Sequence, residues 1–138
     1  MRAVVDVNVF ISAFLSRTGA PASVILAWLN GDFEMIISPK LLAELERALG
    51  YRKFKNRILP SEVNELVALV RSESIIEEDS EDLATIRSAD PGDDYLIALA
   101  LTTRSILVSG DSHLLVLADK VPVYTPATFL ERLSTSNW

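Results

Sequence analysis

Short runs of β-branched and apolar residues alternate along this chain with longer stretches whose apolar positions recur at helical spacing, and that alternation restricts the fold more than any other feature. Strand and helix repeated in this order are the pattern of βαβ units and a parallel sheet. The strands read as Arg2–Val5, Glu34–Ile37, Ile75–Glu77, Ile106–Val108 and Val121–Tyr124, with the first, second and fourth central. At 138 residues the chain is one domain's worth, residues 1–138, with no repeat and no linker.

Between the strands, Ala22–Leu29 reads as a helix entered after Pro21 and stopped at "NGD". In "SPKLLAELERALG", Ser38 is the cap, Pro39 takes the first turn, Leu41, Leu42, Leu45 and Leu49 form the apolar stripe, and Gly50 ends the helix. A further helix covers Ser61 to Ser72, with Ser61 as its cap and Val63, Leu66, Val67 and Val70 at core spacing. "DPGDDYLIALALTTRS" reads as a turn feeding a helix from Asp93 to Arg104. A short helix follows "SGD", and a last one follows "TPATFLERL".

Composition removes several classes of chemistry. The chain has no cysteine, which excludes a disulfide framework and thiolate catalysis, and one histidine, His113, which excludes a histidine-rich zinc site. Any metal here is a hard ion taken by oxygen ligands. No apolar run approaches the roughly 20 residues of a membrane span, and no basic-then-apolar leader opens the chain, so the expectation is a cytoplasmic protein with no membrane partner. A formal charge of −6 argues against a nucleic-acid partner unless several acids are concentrated at one metal-filled site.

The acids fall where such a site would form. In an open parallel sheet, function gathers at the carboxyl ends of the strands. Asp6 ends the first strand, Asp111 follows the fourth through "VSGD", Glu44 lies early in the Ser38-capped helix, and Asp93 and Asp94 open the next long helix. Carboxylates held together repel by about 4 kcal/mol per close pair near a surface, so the group calls for protons or cations. Mg²⁺ or Mn²⁺ suits it, and either serves phosphate chemistry. Taken singly, Asp6 or Asp111 reads equally well as a turn former or helix cap, Asp93 and Asp94 as complements to a helix N-terminus, Asp90 as a turn residue, and Glu44 as a solvated partner of Arg47.

The segments "VVDVNVFISA", "SPKLLAELERAL", "DPGDDYLIALAL" and "ILVSGDSHLL" together resemble the PIN-domain nucleases, in particular the compact single-domain group, similar to VapC, described as toxins of bacterial and archaeal toxin–antitoxin pairs. The resemblance spans nearly the whole chain. It implies a three-layer α/β/α fold with a central, mainly parallel sheet of about five strands. It also implies a divalent-metal-dependent endoribonuclease acting on single-stranded RNA with one or two Mg²⁺ or Mn²⁺ ions, leaving a 5′-phosphate and a 3′-hydroxyl. Its catalytic and metal-binding places map to Asp6, Glu44, Asp93 and Asp111, with Asn8 and Ser109 in supporting hydrogen bonds and Asp94 ranked behind Asp93. A homodimer and an antitoxin partner are implied with it. Many members carry Thr where Ser109 stands and another acid where His113 stands, which leaves the number of metals and the role of His113 open.

Three further segments carry readings of their own. "YRKFKNR" interleaves aromatics with Arg52, Lys53, Lys55 and Arg57, as single-strand binders do, and reads equally as a cationic helix end. "EEDSEDL" reads as a solvated acidic connection. The apolar residues of "FISAFL" and "VILAWL", including Phe14 and Trp28, serve the core or form a groove for a second copy or an antitoxin.

Two competing readings remain. An aspartyl-phosphate phosphatase needs a second Asp where Asn8 stands, and a receiver domain needs a late strand-end Lys that "ILVSG" does not offer. The other is a non-catalytic RNA- or partner-binding module, which the replacement of an acid by His113 keeps open.

Overall fold

The computed structural model describes residues 1–50, 57–80 and 86–136. Five strands, β1 (Arg2–Val5), β2 (Glu34–Ile37), β3 (Ile75–Ile76), β4 (Ile106–Val108) and β5 (Val123–Tyr124), form one sheet in the order β3-β2-β1-β4-β5. Every pairing is parallel. The helices are α1 (Val7–Leu15), α2 (Ala20–Leu29), α3 (Pro39–Leu49), α4 (Pro60–Glu73), α5 (Asp94–Thr102), α6 (Ser112–Leu115) and α7 (Pro126–Ser136). No single helix among the described residues is long and apolar enough to cross a membrane.

Strand order and handedness together place the helices. The chain steps one way from β1 to β3 and the other way from there through β4 to β5. Right-handed crossovers therefore send α1 to α4 to one face and α5 and α6 to the opposite face. The packing agrees: α1 lies on α2 and α3, α3 on α4, and α2 on α7, while α5 lies on β1 and β4. This is the three-layer α/β/α arrangement. Covered on both sides, the central strands bury nearly every residue: Ala3, Val4, Val5, Met35, Ile36, Ile37, Leu107 and Val108 are almost wholly excluded from water. At about 1.5–3 kcal/mol per large apolar side chain, these strands and the helical residues packed on them, Phe10, Leu41, Leu45, Leu96 and Phe129 among them, hold the domain together.

The best-specified helix is α3. Ser38 Oγ accepts from the Leu41 N–H at 3.2 Å, Pro39 stands in the first turn, and Gly50 is the C-cap. Several boundaries differ from the sequence reading. α2 begins at Ala20, so Pro21 lies within its first turn. α4 begins at Pro60, with Leu59 as its cap and Glu62 reaching back to the Leu59 N–H at 3.3 Å, so Ser61 is not the cap. β3 stops at Ile76, and β5 begins at Val123. α5 runs only from Asp94 to Thr102, after a 3₁₀ turn at Pro91–Asp93; Arg104, at φ 53°, lies beyond it in the left-handed region. The last helix begins at Pro126 and so contains "PATFLERL" rather than following it.

One element escaped sequence reasoning altogether. Helix α1 starts immediately after β1, although its residues, VNVFISAFL, are rich in the β-branched types that favour strands. Asp6 makes the switch by capping the helix, accepting from the Asn8 N–H at 3.4 Å, and the burial of Val9 and Phe10 outweighs the weak local preference.

Candidate active site

The connections that leave the neighbouring strands β1 and β4 run in opposite directions across the sheet, and the carboxyl ends of these two strands open the crevice in which α/β proteins hold ligands. Pairing of Val5 with Val108 brings the two strand ends level. The ladder continues one step further, because the Asp6 N–H donates to the Val108 carbonyl at 2.9 Å. Asp6 is thus held beside the turn Ser109–Gly110–Asp111.

Ser109 joins the two acids. Its hydroxyl donates to Asp6 Oδ2 at 2.8 Å and accepts from the Asp111 N–H at 3.0 Å, and the serine is fully buried. Both acids also cap helices: Asp6 caps α1, and Asp111 caps α6 by accepting from the His113 N–H at 2.9 Å. The bland reading of each residue is therefore true, and it coexists with their convergence.

Asp93 and Glu44 complete the rim. A cleft of about 490 Å³ is lined by Asp6, Asn8, Glu44, Arg47, Asp93 and Tyr95, among others. Glu44 pairs with Arg47 at 2.6 Å across one turn of α3, and both side chains border the cleft. Asp93 Oδ2 is buried with no hydrogen-bond partner among the described residues. Burial, a proton shared with Asp111, and the negative charges of Asp6, Asp111 and Asp90 push the Asp93 carboxyl up to about 7. Burial also raises Asp6, against the opposing hydrogen bond from Ser109. The acids are close enough to perturb one another, yet among the described residues no three lie in a metal-holding arrangement.

Asn8, Asp94, His113 and the basic residues take other positions. The backbone N–H of Asn8, rather than its amide side chain, reaches Asp6, and the residue is exposed at the cleft edge. Asp94 turns away from the cleft: it is buried, accepts from the Ser88 N–H at 2.7 Å and pairs with Arg87 at 3.5 Å. It holds the connection that precedes α5, which separates the adjacent acids that sequence alone left side by side. The His113 ring lies 3.7 Å from Asp111 and is exposed. Arg57 donates to the Leu15 carbonyl at 3.0 Å, at the end of α1 beside the cleft. Arg52, Lys53 and Lys55 lie outside the described residues.

Sequence reasoning missed Tyr95 and Lys40. Burial and the charges of Asp6, Glu44, Asp93 and Asp79 push the Tyr95 phenol up, which marks the cleft as strongly negative. The Lys40 ammonium lies 4.7 Å from the centre of the Tyr95 ring, and the Lys40 N–H donates to Asp79 Oδ2 at 2.9 Å. Asp79 thus ties the residues just after β3 to the start of α3. The available signal was positional: Tyr95 stands two residues after Asp93, in the same first turn.

A family model described as PIN domain matches residues 2–113, which contain every acid of the cleft. The chain belongs to the PIN domain family. Members of this family are generally nucleases. Over 95% of its length the present PIN domain is 26% identical to the uncharacterized protein MJ1680 of Methanocaldococcus jannaschii, 90% of which is covered. Its fold is similar to that of PAE2754 from Pyrobaculum aerophilum, with a TM-score of 0.69, 18% identity and coverage of 98% of this chain and 96% of that one. It is also similar to a chain of VapBC2 from Rickettsia felis, solved bound to a promoter DNA fragment, with a TM-score of 0.58, 16% identity and coverage of 91% and 98%. FitAcB from Neisseria gonorrhoeae gives a TM-score of 0.55 at 20% identity, with coverage of 91% and 98%.

By donor type, though not by an arrangement of three acids among the described residues, this PIN domain suits a hard divalent cation. All four candidate ligands are carboxylates on one rim, and a buried carboxylate oxygen without a partner is the kind of group that such an ion satisfies.

Proposed function

We propose that this PIN domain is a divalent-metal-dependent endoribonuclease that hydrolyses single-stranded RNA, and that it acts as the toxin of a toxin–antitoxin pair. The observation that carries the reading is Asp93, with a buried, partnerless oxygen and a carboxyl pushed up to about 7 by its acidic neighbours. A carboxylate so placed is a functional-site signature.

Asp6, Glu44, Asp93 and Asp111 would hold one or two Mg²⁺ or Mn²⁺ ions, whose chemistry is to make bound water acidic and to offset charge on the reacting phosphate. The chain's own residues do the rest. Ser109 fixes the orientation of Asp6 through its hydroxyl. Asp93 or Asp111 orients the attacking water or takes its proton, and the raised carboxyl of Asp93 suits it to that task. No covalent intermediate with the protein is required. Arg57, with Arg52, Lys53 and Lys55, would draw the RNA backbone.

For partners, a cleft of about 360 Å³ between α1, α2 and α4 is lined mainly by apolar residues, including Phe10, Phe14, Ile25 and Leu66, and the exposed Leu26, Leu29 and Leu69 flank it. A second copy or an antitoxin would cover this face, in keeping with the likeness to chains of VapBC2 and FitAcB. Trp28, by contrast, is spent on the core.

The test is cleavage of a fluorophore-quenched single-stranded RNA panel with Mg²⁺, Mn²⁺ or EDTA, alongside Asp6→Asn and Asp93→Asn. Metal-dependent cutting that both substitutions abolish supports the nuclease. RNA binding without cutting under any metal would favour the second reading, a non-catalytic binding module, which His113 in place of an acid and the absence of a three-acid metal-holding group among the described residues also favour.

A further inference from the structure

Another cavity, of about 410 Å³, adjoins the carboxylate cleft, with Asn8 lining both and Asp111 in its own wall. We propose that it is a nucleoside subsite, holding the base and sugar of one of the two nucleotides that flank the phosphate at the carboxylates. This inference rests on the nuclease reading and adds a specificity site to it.

Size and chemistry both point to the uncharged part of a nucleotide. The volume lies within the roughly 300–1,000 Å³ range of small-molecule sites. Apart from Asp111, no charged side chain among the described residues lines it. A phosphate there would find no counter-charge, and a metal would find no second carboxylate. The walls combine apolar surfaces from Val9, Pro21 and Pro126 with hydrogen-bonding groups from Asn8, Ser12 and Thr125. Few polar groups on apolar walls are what recognition of a splayed-out base uses.

The cavity is built by the fold rather than by one loop. Its walls come from α1, the start of α2, the turn after β4 and the start of α7, and Val9 is anchored in the core at 2% exposure. Thr125 is already engaged, its hydroxyl accepting from the Thr128 N–H at 3.1 Å, so discrimination falls to Asn8 and Ser12. At Gly110 a Cβ would meet nothing within 4 Å, so the wall beside Asp111 is open backbone. A strand with one phosphate at the acids would thus drop one neighbouring nucleoside into this cavity and carry the other toward Tyr95 and Lys40.

The test fills the cavity from two different elements at exposed rim positions, with Ala127→Trp on α7 and Ser12→Phe on α1. A short oligoribonucleotide cut by the unsubstituted protein is compared with versions lacking one base at a time. Removal of one base next to the cleaved bond is expected to lower kcat/KM by about tenfold, the scale of losing about one net hydrogen bond. Each filled variant should cut the intact oligomer no faster than the unsubstituted protein cuts that abasic one, with Mn²⁺ affinity by calorimetry unchanged. If the filled variants cut the intact oligomer at the unsubstituted rate, or no single base matters, the subsite is overturned while the nuclease stands. If the unsubstituted protein cuts nothing with either metal, the nuclease reading falls and the subsite falls with it.

Discussion

Ser109 serves two acids through one hydroxyl, donating to Asp6 and accepting from the Asp111 N–H. Ser109→Ala leaves both groups without this partner in a buried setting. Such a loss costs about 1–3 kcal/mol, so chemical denaturation should show that deficit together with slower cleavage, whereas Ser109→Thr keeps the hydroxyl and should lie close to the parent in both. Asp93 makes the opposite prediction for stability. Its carboxyl sits at about 7 in the folded chain against an ordinary value of 3.8, so folding favours the protonated form. That contribution is complete below about pH 4 and is lost as pH rises through 7. Without metal, Asp93→Asn should match the parent at pH 4 and exceed its stability at pH 8 by about 1–2 kcal/mol, a figure reduced for the water the group retains; excess Mn²⁺ should cancel or invert the order. Equal pH profiles for the two proteins would show that Asp93 is not held in the protonated form.

Among the elements, α3 was readable because every level agreed: a Ser cap, a Pro in the first turn, leucines at helical spacing and a Gly stop. Ser38→Ala should lower stability by about 1 kcal/mol through the lost cap, and Leu45→Ala, at a fully buried position, by about 2–5 kcal/mol, both measured by urea denaturation. α1 was not readable, because its Val and Ile residues continue the local preference of β1 and the turn to helix depends on Asp6 and on burial against α2 and α3. The site divides in the same way. Asp6 and Asp111 could be paired from sequence, since neighbouring strands bring them level. The divergence of Asp93 and Asp94 could not, because it depends on Ser88 and Arg87, whose place beside α5 is a tertiary fact. Lys40 and Tyr95 meet for the same kind of reason, one on α3 and the other on α5.

Taken whole, the molecule carries a formal charge of −6 and gathers acids from the end of β1, from α3, from the turn before α5 and from the turn after β4. On the proposed metal site, a divalent cation would relieve this crowding of negative charge. Mn²⁺ at 100 times its dissociation constant should add about 2.7 kcal/mol of stability, visible as a rise in Tm by calorimetry, and the rise should disappear in an Asp6→Asn, Asp93→Asn double variant. A rise of equal size in the double variant would place the ion elsewhere.

That Asp6 and Asp111 are helix caps as well as candidate ligands bears on genetics. Asparagine keeps an oxygen that can accept at the cap, while alanine removes the ligand and the cap together. In a screen for clones that survive expression of a harmful gene, these two codons should therefore yield two classes of survivor: full-abundance protein that is silent, from Asn, and scarce protein cleared by proteolysis, from Ala. Immunoblotting would separate lost chemistry from lost folding without an activity assay.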